Sequence, residues 1–198
     1  SIALIDEKIG NFKYKDLINQ ISVTKDRIKN NSVVLLIADN SAPFVLGYVS
    51  FLSCKNVINI LLDISFSEDF IKDVIRKYKP NYVFSPNVNL HFKNEYKEIL
   101  NLYSYSIFEI NKNLNKNLNF DNFLLLSTSG TTQSPKFVRL SKKNITDNTK
   151  KICHSLKIKK NHTTITTMPL GYSYGLSILN SHLFKCAKIV MNNNTVIE

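Results

Sequence analysis

The chain has 198 residues, of which 43% are hydrophobic and 21% are charged. This composition indicates a folded globular protein rather than a disordered one, and the length suits one ordinary domain or part of a larger one. The formal net charge of +11 is compatible with nucleic-acid binding, but the lysines are dispersed along a chain rich in Asn and Ile, which favours a compositional bias over a binding face.

The first half of the chain alternates between predicted helices and strands. An amphipathic segment from Tyr14 to about Lys29 is typical of a helix, and the unbroken apolar run SVVLLIA after it is typical of a strand buried on both faces. A second helix begins at Asn40 or Ser41, whose side chains can accept backbone N–H groups, with Pro43 in its first turn. NVINILLD is the next buried strand.

A third helix leads into the middle of the chain. The segment SFSEDFIKDVIRKYKP has Ser67 as a candidate N-cap, acids early, bases late and a proline at its end, and NYVFSP is the strand after it. Residues 111–122 are rich in asparagine, which prefers turns, so we expect an exposed connection there. This alternation predicts an α/β fold, with a layered, mostly parallel sheet flanked by helices.

The second half continues the same alternation. FLLLSTSG and KFVRLS are predicted strands, and KKNITDNTKKICHSL is a predicted helix with Ile145, Thr149, Ile152 and Leu156 on one side. HTTITTMPL, SYGLSILNSHLFKC and AKIVM are then predicted as strand, helix and strand. The sequence stops just after that strand, so we expect residues 1–198 to form a single incomplete domain.

Cysteine and histidine spacing gives no sign of a metal site. Cys54, Cys153 and Cys186 are far apart and form no C-x-x-C pair, and the four histidines lack metal-ligand spacing. The odd, scattered cysteines suit a reducing compartment, and the apolar runs are too short to cross a bilayer. We therefore expect a cytoplasmic protein with no membrane span.

The stretch STSGTTQSPK, between two predicted strands, has the chemistry of a phosphate site. It carries several hydroxyl groups, a glycine free to adopt a positive φ angle, and the mobile charge of Lys136. Consecutive backbone N–H groups in such a turn can converge on an anion. The spacing matches neither the Walker pattern nor the dinucleotide fingerprint. A Ser- and Thr-rich surface turn is the alternative interpretation of these residues.

Extended by two residues, the stretch STSGTTQSPKFV resembles the phosphate-binding signature of the adenylate-forming (AMP-binding) superfamily, which includes acyl- and aryl-CoA synthetases, peptide-synthetase adenylation domains and luciferases. The usual form there is hydroxyl-Ser-Gly-Thr-Thr-Gly-x-Pro-Lys-Gly. MPLGYSYGLSILNSHLFKCAKIVM resembles the motif that follows, usually Pro-Leu-aromatic-His-x-x-Gly-Leu. Two earlier segments resemble the family as well, so the resemblance covers nearly the whole chain.

The resemblance implies an AMP-forming acid–thiol ligase. In such enzymes a carboxylic acid attacks the α-phosphate of ATP, bound with Mg²⁺, to form an acyl-adenylate, and coenzyme A or a carrier-protein thiol then takes the acyl group. Tyr172, Tyr174 and Gly175 are the implied substrate-pocket residues, although the two tyrosines could equally be core aromatics. The residues implied to bind the ATP phosphates are Thr128, Ser129, Gly130, Thr131, Thr132 and Lys136.

The chain departs from the family pattern at four positions. Gln133 and Phe137 replace loop glycines, and Gly171 and Tyr172 stand where an aromatic residue and a histidine are usual. The family's adenine-, ribose- and magnesium-binding residues have no counterpart, so we expect an N-terminal fragment that is inactive alone. Two other functions stay open: a stand-alone nucleotide- or anion-binding module without catalysis, and a basic nucleic-acid-binding protein.

Overall fold

In the computed structural model, two β-sheets enclose a layer of helices, and a further helix covers the outer face of the larger sheet. Residues 1–87, 96–113, 118, 123–127 and 136–192 are described. The strands in these ranges are β1 (Ile2–Asp6), β2 (Gly10–Lys13), β3 (Ser32–Ala38), β4 (Val57–Asp63), β5 (Tyr82–Pro86), β6 (Lys97–Leu102), β7 (Tyr105–Glu109), β8 (Leu124–Ser127), β9 (Phe137–Leu140), β10 (Thr163–Thr166) and β11 (Lys188–Met191). The helices are α1 (Tyr14–Lys25), α2 (Ala42–Leu52), α3 (Glu68–Tyr78), α4 (Lys142–Ser155) and α5 (Ser173–Phe184).

The larger sheet has seven strands in the order β6-β7-β5-β3-β4-β8-β9. Its centre is parallel, because β3 pairs in parallel with β4 and β5, and β4 pairs in parallel with β8. Its edges are antiparallel, because β7 pairs with β5 and β6, and β9 pairs with β8. The predicted α/β fold, with sheets flanked by helices, is confirmed.

Both faces of β3 are buried, as its unbroken apolar run predicts. Val33, Leu35 and Ile37 pack on the side that α3 covers. Val34 and Leu36, which alternate with them, pack on the opposite side in the core that contains α2. The strand is therefore fixed between two helical layers.

Helix α2 lies between the two sheets. Nine of its eleven residues are buried, and it contacts β3, β4 and β5 of the larger sheet and β1 of the smaller one. Ser41 is the N-cap: its Oγ accepts a hydrogen bond from Phe44 N at 3.4 Å, and Pro43 lies in the first turn, as predicted. Asp6 Oδ2 accepts a hydrogen bond from Ala42 N at 2.9 Å, which ties the end of β1 to the start of α2.

The smaller sheet has four strands in the order β10-β11-β1-β2. β11 pairs in parallel with β10 and β1, whereas β2 pairs with β1 in the antiparallel sense. Helix α5 packs on this sheet and beside α4. The two helices run in the same direction, because Asn148 Nδ2 lies 3.5 Å from Ser177 Oγ and Cys153 Sγ lies 3.2 Å from Ser181 O. Their C-terminal ends therefore lie at the same end of the pair.

The helix ends differ from the sequence prediction in two places. α1 ends at Lys25 rather than near Lys29, because the chain turns after Asp26 and brings Ile28 into the core. Leu156, expected on the apolar side of α4, follows the end of that helix and is 67% exposed. The buried positions of α4 are Thr149 and Cys153.

Within the predicted exposed connection at 111–122, residues 111–113 and 118 are described, and Lys112 and Asn113 are exposed. The other positions of that connection lie outside the described residues. No helix in the described ranges is long and apolar enough to cross a bilayer.

Gly47, in the interior of α2, tests the packing between helix and sheet. A Cβ atom at this position would overlap the ring of Phe84, which is fully buried on β5. Replacing a helix-interior glycine with alanine ordinarily stabilises a protein by up to about 1 kcal/mol. Here we expect Gly47→Ala to lower the free energy of unfolding by about 1–3 kcal/mol, because the ring has no room to move. Urea denaturation followed by circular dichroism measures whether the free energy of unfolding falls or rises. A variant more stable than the wild type would contradict this packing.

Candidate functional site

The carboxyl ends of three parallel strands meet at one edge of the larger sheet, which we call the carboxyl edge. Ala38 at the end of β3 is in register with Asp63 at the end of β4, and Leu61 of β4 is in register with Leu126 of β8. Ligands of open α/β sheets bind at this edge. The stretch that carries the predicted phosphate-binding residues begins here, directly after Ser127 of β8.

Both ends of that stretch are described, and its middle is not. Ser127 of β8 pairs with Phe137 of β9, so the two ends lie side by side, with Lys136 directly before β9. The ring of Phe137, which replaces a family glycine, packs edge-on against Tyr78 at 5.3 Å. The predicted positions that lie outside the described residues are Thr128, Ser129, Gly130, Thr131, Thr132 and Gln133. Their roles stay predictions.

Asn40 connects the end of β3 to the turn before α5. Its Nδ2 donates hydrogen bonds to the carbonyl oxygens of Thr166 and Met168, both at 3.3 Å, and its Oδ1 accepts one from Leu170 N at 2.9 Å. The sequence suggested Asn40 only as a helix cap, a role that Ser41 fills. Because β3 and β10 belong to different sheets, this one side chain joins the carboxyl ends of both.

Gly171 lies in that turn and packs directly on the end of β4. A Cβ atom at Gly171 would lie 2.5 Å from Asp63 Cβ and 2.6 Å from Asp63 Oδ2, so no side chain fits in this backbone position. The close approach explains why glycine stands where the family usually has an aromatic residue. The turn at 168–172 therefore lies against the ends of β3 and β4 together.

Carboxylates lie at the ends of two strands of this edge, Asp39 after β3 and Asp63 in β4, and Asp6 ends β1 of the smaller sheet. Burial raises the pKa of the Asp39 carboxyl above its usual range, hydrogen bonds from Ser41 and Tyr105 oppose the shift, and the charge of Asp6 adds to it. Asp63 Oδ1 accepts a hydrogen bond from Ser65 N at 3.0 Å. These carboxylates are engaged by neighbouring donors, and the described part of the chain holds no group of three or more His, Cys, Asp or Glu suited to a metal ion.

The predicted substrate-pocket residues lie at the start of α5. Tyr172 is the N-cap and is half-buried, whereas Tyr174 is 63% exposed and so is not a core aromatic. Gly175 is buried, and a Cβ atom there would overlap the carbonyl oxygen of Pro169. The two glycines of this motif thus allow the turn and the helix to pack closely.

A groove of about 470 Å³ opens between β8, β9, α4 and α5. Its apolar lining includes Leu126, Ile145 and Leu176, and its polar lining includes Asn148 and Ser177. The sequence did not indicate this groove, because its lining comes from four elements whose proximity depends on the parallel packing of α4 and α5. Its position beside β8 places it next to the start of the predicted phosphate loop.

The fold is that of an α/β protein in which the carboxyl ends of three parallel strands share one edge with the predicted phosphate-binding stretch. The family model described as AMP-binding enzyme matches residues 24–196. The chain therefore belongs to the AMP-binding enzyme family. A comparison with curated proteins gave no match.

Several solved structures share this fold. Apo MatB from Rhodopseudomonas palustris is 14% identical with a TM-score of 0.76, over 98% of this chain and 42% of that one. VinN with 3-methylaspartate is 15% identical with a TM-score of 0.72, over 96% and 57% of the two chains. The O-succinylbenzoate coenzyme A synthetase MenE from Bacillus subtilis is 16% identical with a TM-score of 0.70, over 99% and 55%. The chain thus spans about half the length of these structures.

We expect Asn40→Ala to loosen the turn at 168–172. The variant loses one acceptor and two donated hydrogen bonds, so the free energy of unfolding should fall by about 2–3 kcal/mol. Amide exchange at Leu170 should also become faster than in the wild-type chain. Asn40→Asp keeps the acceptor for Leu170 N and should retain slower exchange there than Asn40→Ala. Equal exchange in all three proteins would show that Asn40 does not hold the turn.

Proposed function

We propose that this chain supplies the ATP-phosphate-binding part of an AMP-forming carboxylate ligase. The observation that carries the proposal is that the described ends of the signature stretch, Ser127 and Phe137, pair with each other directly after β8 reaches the carboxyl edge. Membership of the AMP-binding family supports it. The MenE structure contains ATP and magnesium, which supports ATP as the nucleotide.

The chemistry of the loop would be positioning and charge stabilisation. Hydroxyl and backbone N–H groups would donate to the phosphate oxygens, and Lys136 would add a positive charge as pyrophosphate departs. The residues with this proposed role are Thr128, Ser129, Gly130, Thr131, Thr132 and Lys136. Magnesium, when bound, shares the phosphate charge. The described residues show no cluster of ligands for it, so no metal-binding step is assigned to them.

The groove between α4 and α5 is the proposed site for the body of the carboxylic acid. Its apolar side chains would cover a hydrocarbon or aryl group, and the amide of Asn148 and the hydroxyl of Ser177 would bind a polar substituent. Tyr172, Tyr174 and Gly175 lie at the start of α5, next in sequence to the groove residues Ser173 and Leu176, and we propose that they contact the carboxylate end of the substrate. Coenzyme A or a carrier-protein thiol is the proposed acyl acceptor.

We further propose that the 198 residues are the N-terminal part of a cytoplasmic ligase domain and do not turn over substrate alone. The coverage of about half of each solved relative supports this. The second candidate is a nucleotide-binding module without catalysis. It would use the same loop to bind the nucleotide but would form no acyl-adenylate. A full-length protein that binds ATP but exchanges no pyrophosphate with any acid would favour it.

Lys136→Ala tests the role of the loop. We expect ATP–pyrophosphate exchange by the full-length protein to fall by about 100-fold, because a donor aimed at the phosphates is lost. In the 198-residue chain, ATP binding measured by calorimetry should weaken while the thermal midpoint stays unchanged. Lys142→Ala removes the same charge from the exposed start of α4 and serves as the control. Wild-type exchange by Lys136→Ala would disprove the phosphate role.

Ser177→Phe tests the groove as the acid site. A phenyl ring at this lining position would fill part of the 470 Å³ space, so large acids should bind less well while acetate binds as before. Pyrophosphate exchange with acetate, octanoate and benzoate measures the change in kcat/KM, and we expect a loss of about tenfold or more for the larger acids. Ser155→Phe, at the exposed end of α4, is the matched control. An equal loss for acetate would place the effect outside the groove.

A further inference from the structure

A second surface lies at the opposite edge of the smaller sheet, where β10 and β11 begin. The parallel helices α4 and α5 both end here, and Lys188 N donates to His162 O at 3.0 Å, which joins the first residue of β11 to the residue directly before β10. Because α4 has fourteen residues, this edge is about 21 Å from the helix starts that border the groove. We call it the lysine edge.

The lysine edge is built from a part of the sequence that carries only positive charge. Residues 148–192 contain no Asp, Glu or Arg. Six of the lysines in this range are exposed and one is half-buried. They are Lys150, Lys151, Lys157, Lys159, Lys160, Lys185 and the half-buried Lys188. In the linear sequence these lysines look dispersed, but the fold brings the ends of two helices and the starts of two strands to one place.

Two large apolar side chains are exposed among these lysines. Leu156, directly after α4, is 67% exposed, and Phe184, the last residue of α5, is 49% exposed. The ammonium of Lys185 lies 5.9 Å from the centre of the Phe184 ring. Exposed apolar groups surrounded by lysines are typical of surfaces that insert into the interface of an anionic bilayer.

A cavity and the adjoining helix complete the lysine edge. A cavity of about 310 Å³ is lined by Lys160, His162 and Lys188. The start of α1 adjoins it, since Tyr14 Oη donates to Ala187 O at 2.6 Å. Asp16 of that helix accepts a hydrogen bond from Lys13 N at 2.7 Å, so this acid is engaged at its own helix start. The cavity offers positive charge to an anionic headgroup.

We propose that the lysine edge docks the protein on an anionic lipid bilayer. Lysines would attract the headgroups, and Leu156 and Phe184 would enter the interface. A bilayer fits better than a nucleic acid, because lysine is a point charge suited to a diffuse field and the range lacks the arginines that bind phosphates bidentately. Aliphatic Leu156 would also gain nothing from a phosphate backbone. Bound in this way, the protein would keep its carboxyl edge facing away from the bilayer.

Co-sedimentation of the full chain with vesicles tests this proposal. The vesicles are phosphatidylcholine alone, or phosphatidylcholine and phosphatidylserine in equal parts. We expect binding to the anionic vesicles only. Replacing Lys157, Lys159 and Lys160 with Gln should lower the partition coefficient by about 100-fold, because each lysine near such a surface contributes a factor of about five. Leu156→Ser and Phe184→Ser should each lower it by about tenfold at unchanged charge.

The control replaces Lys77, Lys97 and Lys112 with Gln, which removes the same charge from exposed positions around the larger sheet. All variants should keep the wild-type thermal midpoint. The proposal is overturned if the two triple variants bind the anionic vesicles equally, or if neutral vesicles bind as well as anionic ones. The proposal is also overturned if the protein binds a DNA duplex more tightly than vesicles and Leu156→Ser leaves the DNA binding unchanged. That result would indicate a nucleic-acid-binding surface.

Discussion

The burial of α2 on all sides is the constraint on which the rest of the structure depends. A helix that buries nine of its eleven residues cannot lie on the surface of a single sheet, because one sheet covers only one side. The larger sheet covers one side of α2, helix α1 packs along another, and β1 of the smaller sheet contacts it as well. The burial of α2 therefore requires α1 and the smaller sheet together. The strands of that sheet lie far apart in the sequence, the first beginning at residue 2 and the last ending at residue 191.

The two sheets are also aligned by polar contacts near the start of α2. Asp6 from the smaller sheet accepts from Ala42 N, and Asn40 from the larger sheet binds the turn after β10. Both contacts lie at carboxyl ends of strands, so the carboxyl ends of the two sheets face the same side. This alignment brings the turn before α5 next to the ends of β3 and β4.

The sequence predicts the helices and strands that follow from a local residue pattern. It does not predict the strands that form because a neighbouring strand pairs with them. The strand SVVLLIA and the helix capped by Ser41 follow from apolar runs and capping chemistry, and the structure places both as expected. β6 and β7 mix polar with apolar residues, so their sequences alone do not identify them as strands. Their strand structure is evident from their pairing with each other at the sheet edge. The same limit applies to the site. The predicted phosphate-binding stretch is contiguous and can be recognised in the sequence, whereas the contacts of Asn40 and Gly171 join residues more than 100 positions apart.

The direction of the helices gives the two edges of this fold opposite chemistry. In parallel α/β structure the helix N-termini lie at the carboxyl edge, and their partial positive charge favours a phosphate there. The C-termini of α4 and α5 lie at the lysine edge, where positive side chains offset the partial negative charge. That effect fades beyond the last helical turn, in which α4 has only His154 as a basic residue. Lys157, Lys159 and Lys160 follow the helix, so the helix dipole alone does not explain them, and their exposure beside Leu156 is the feature on which the proposed bilayer docking rests.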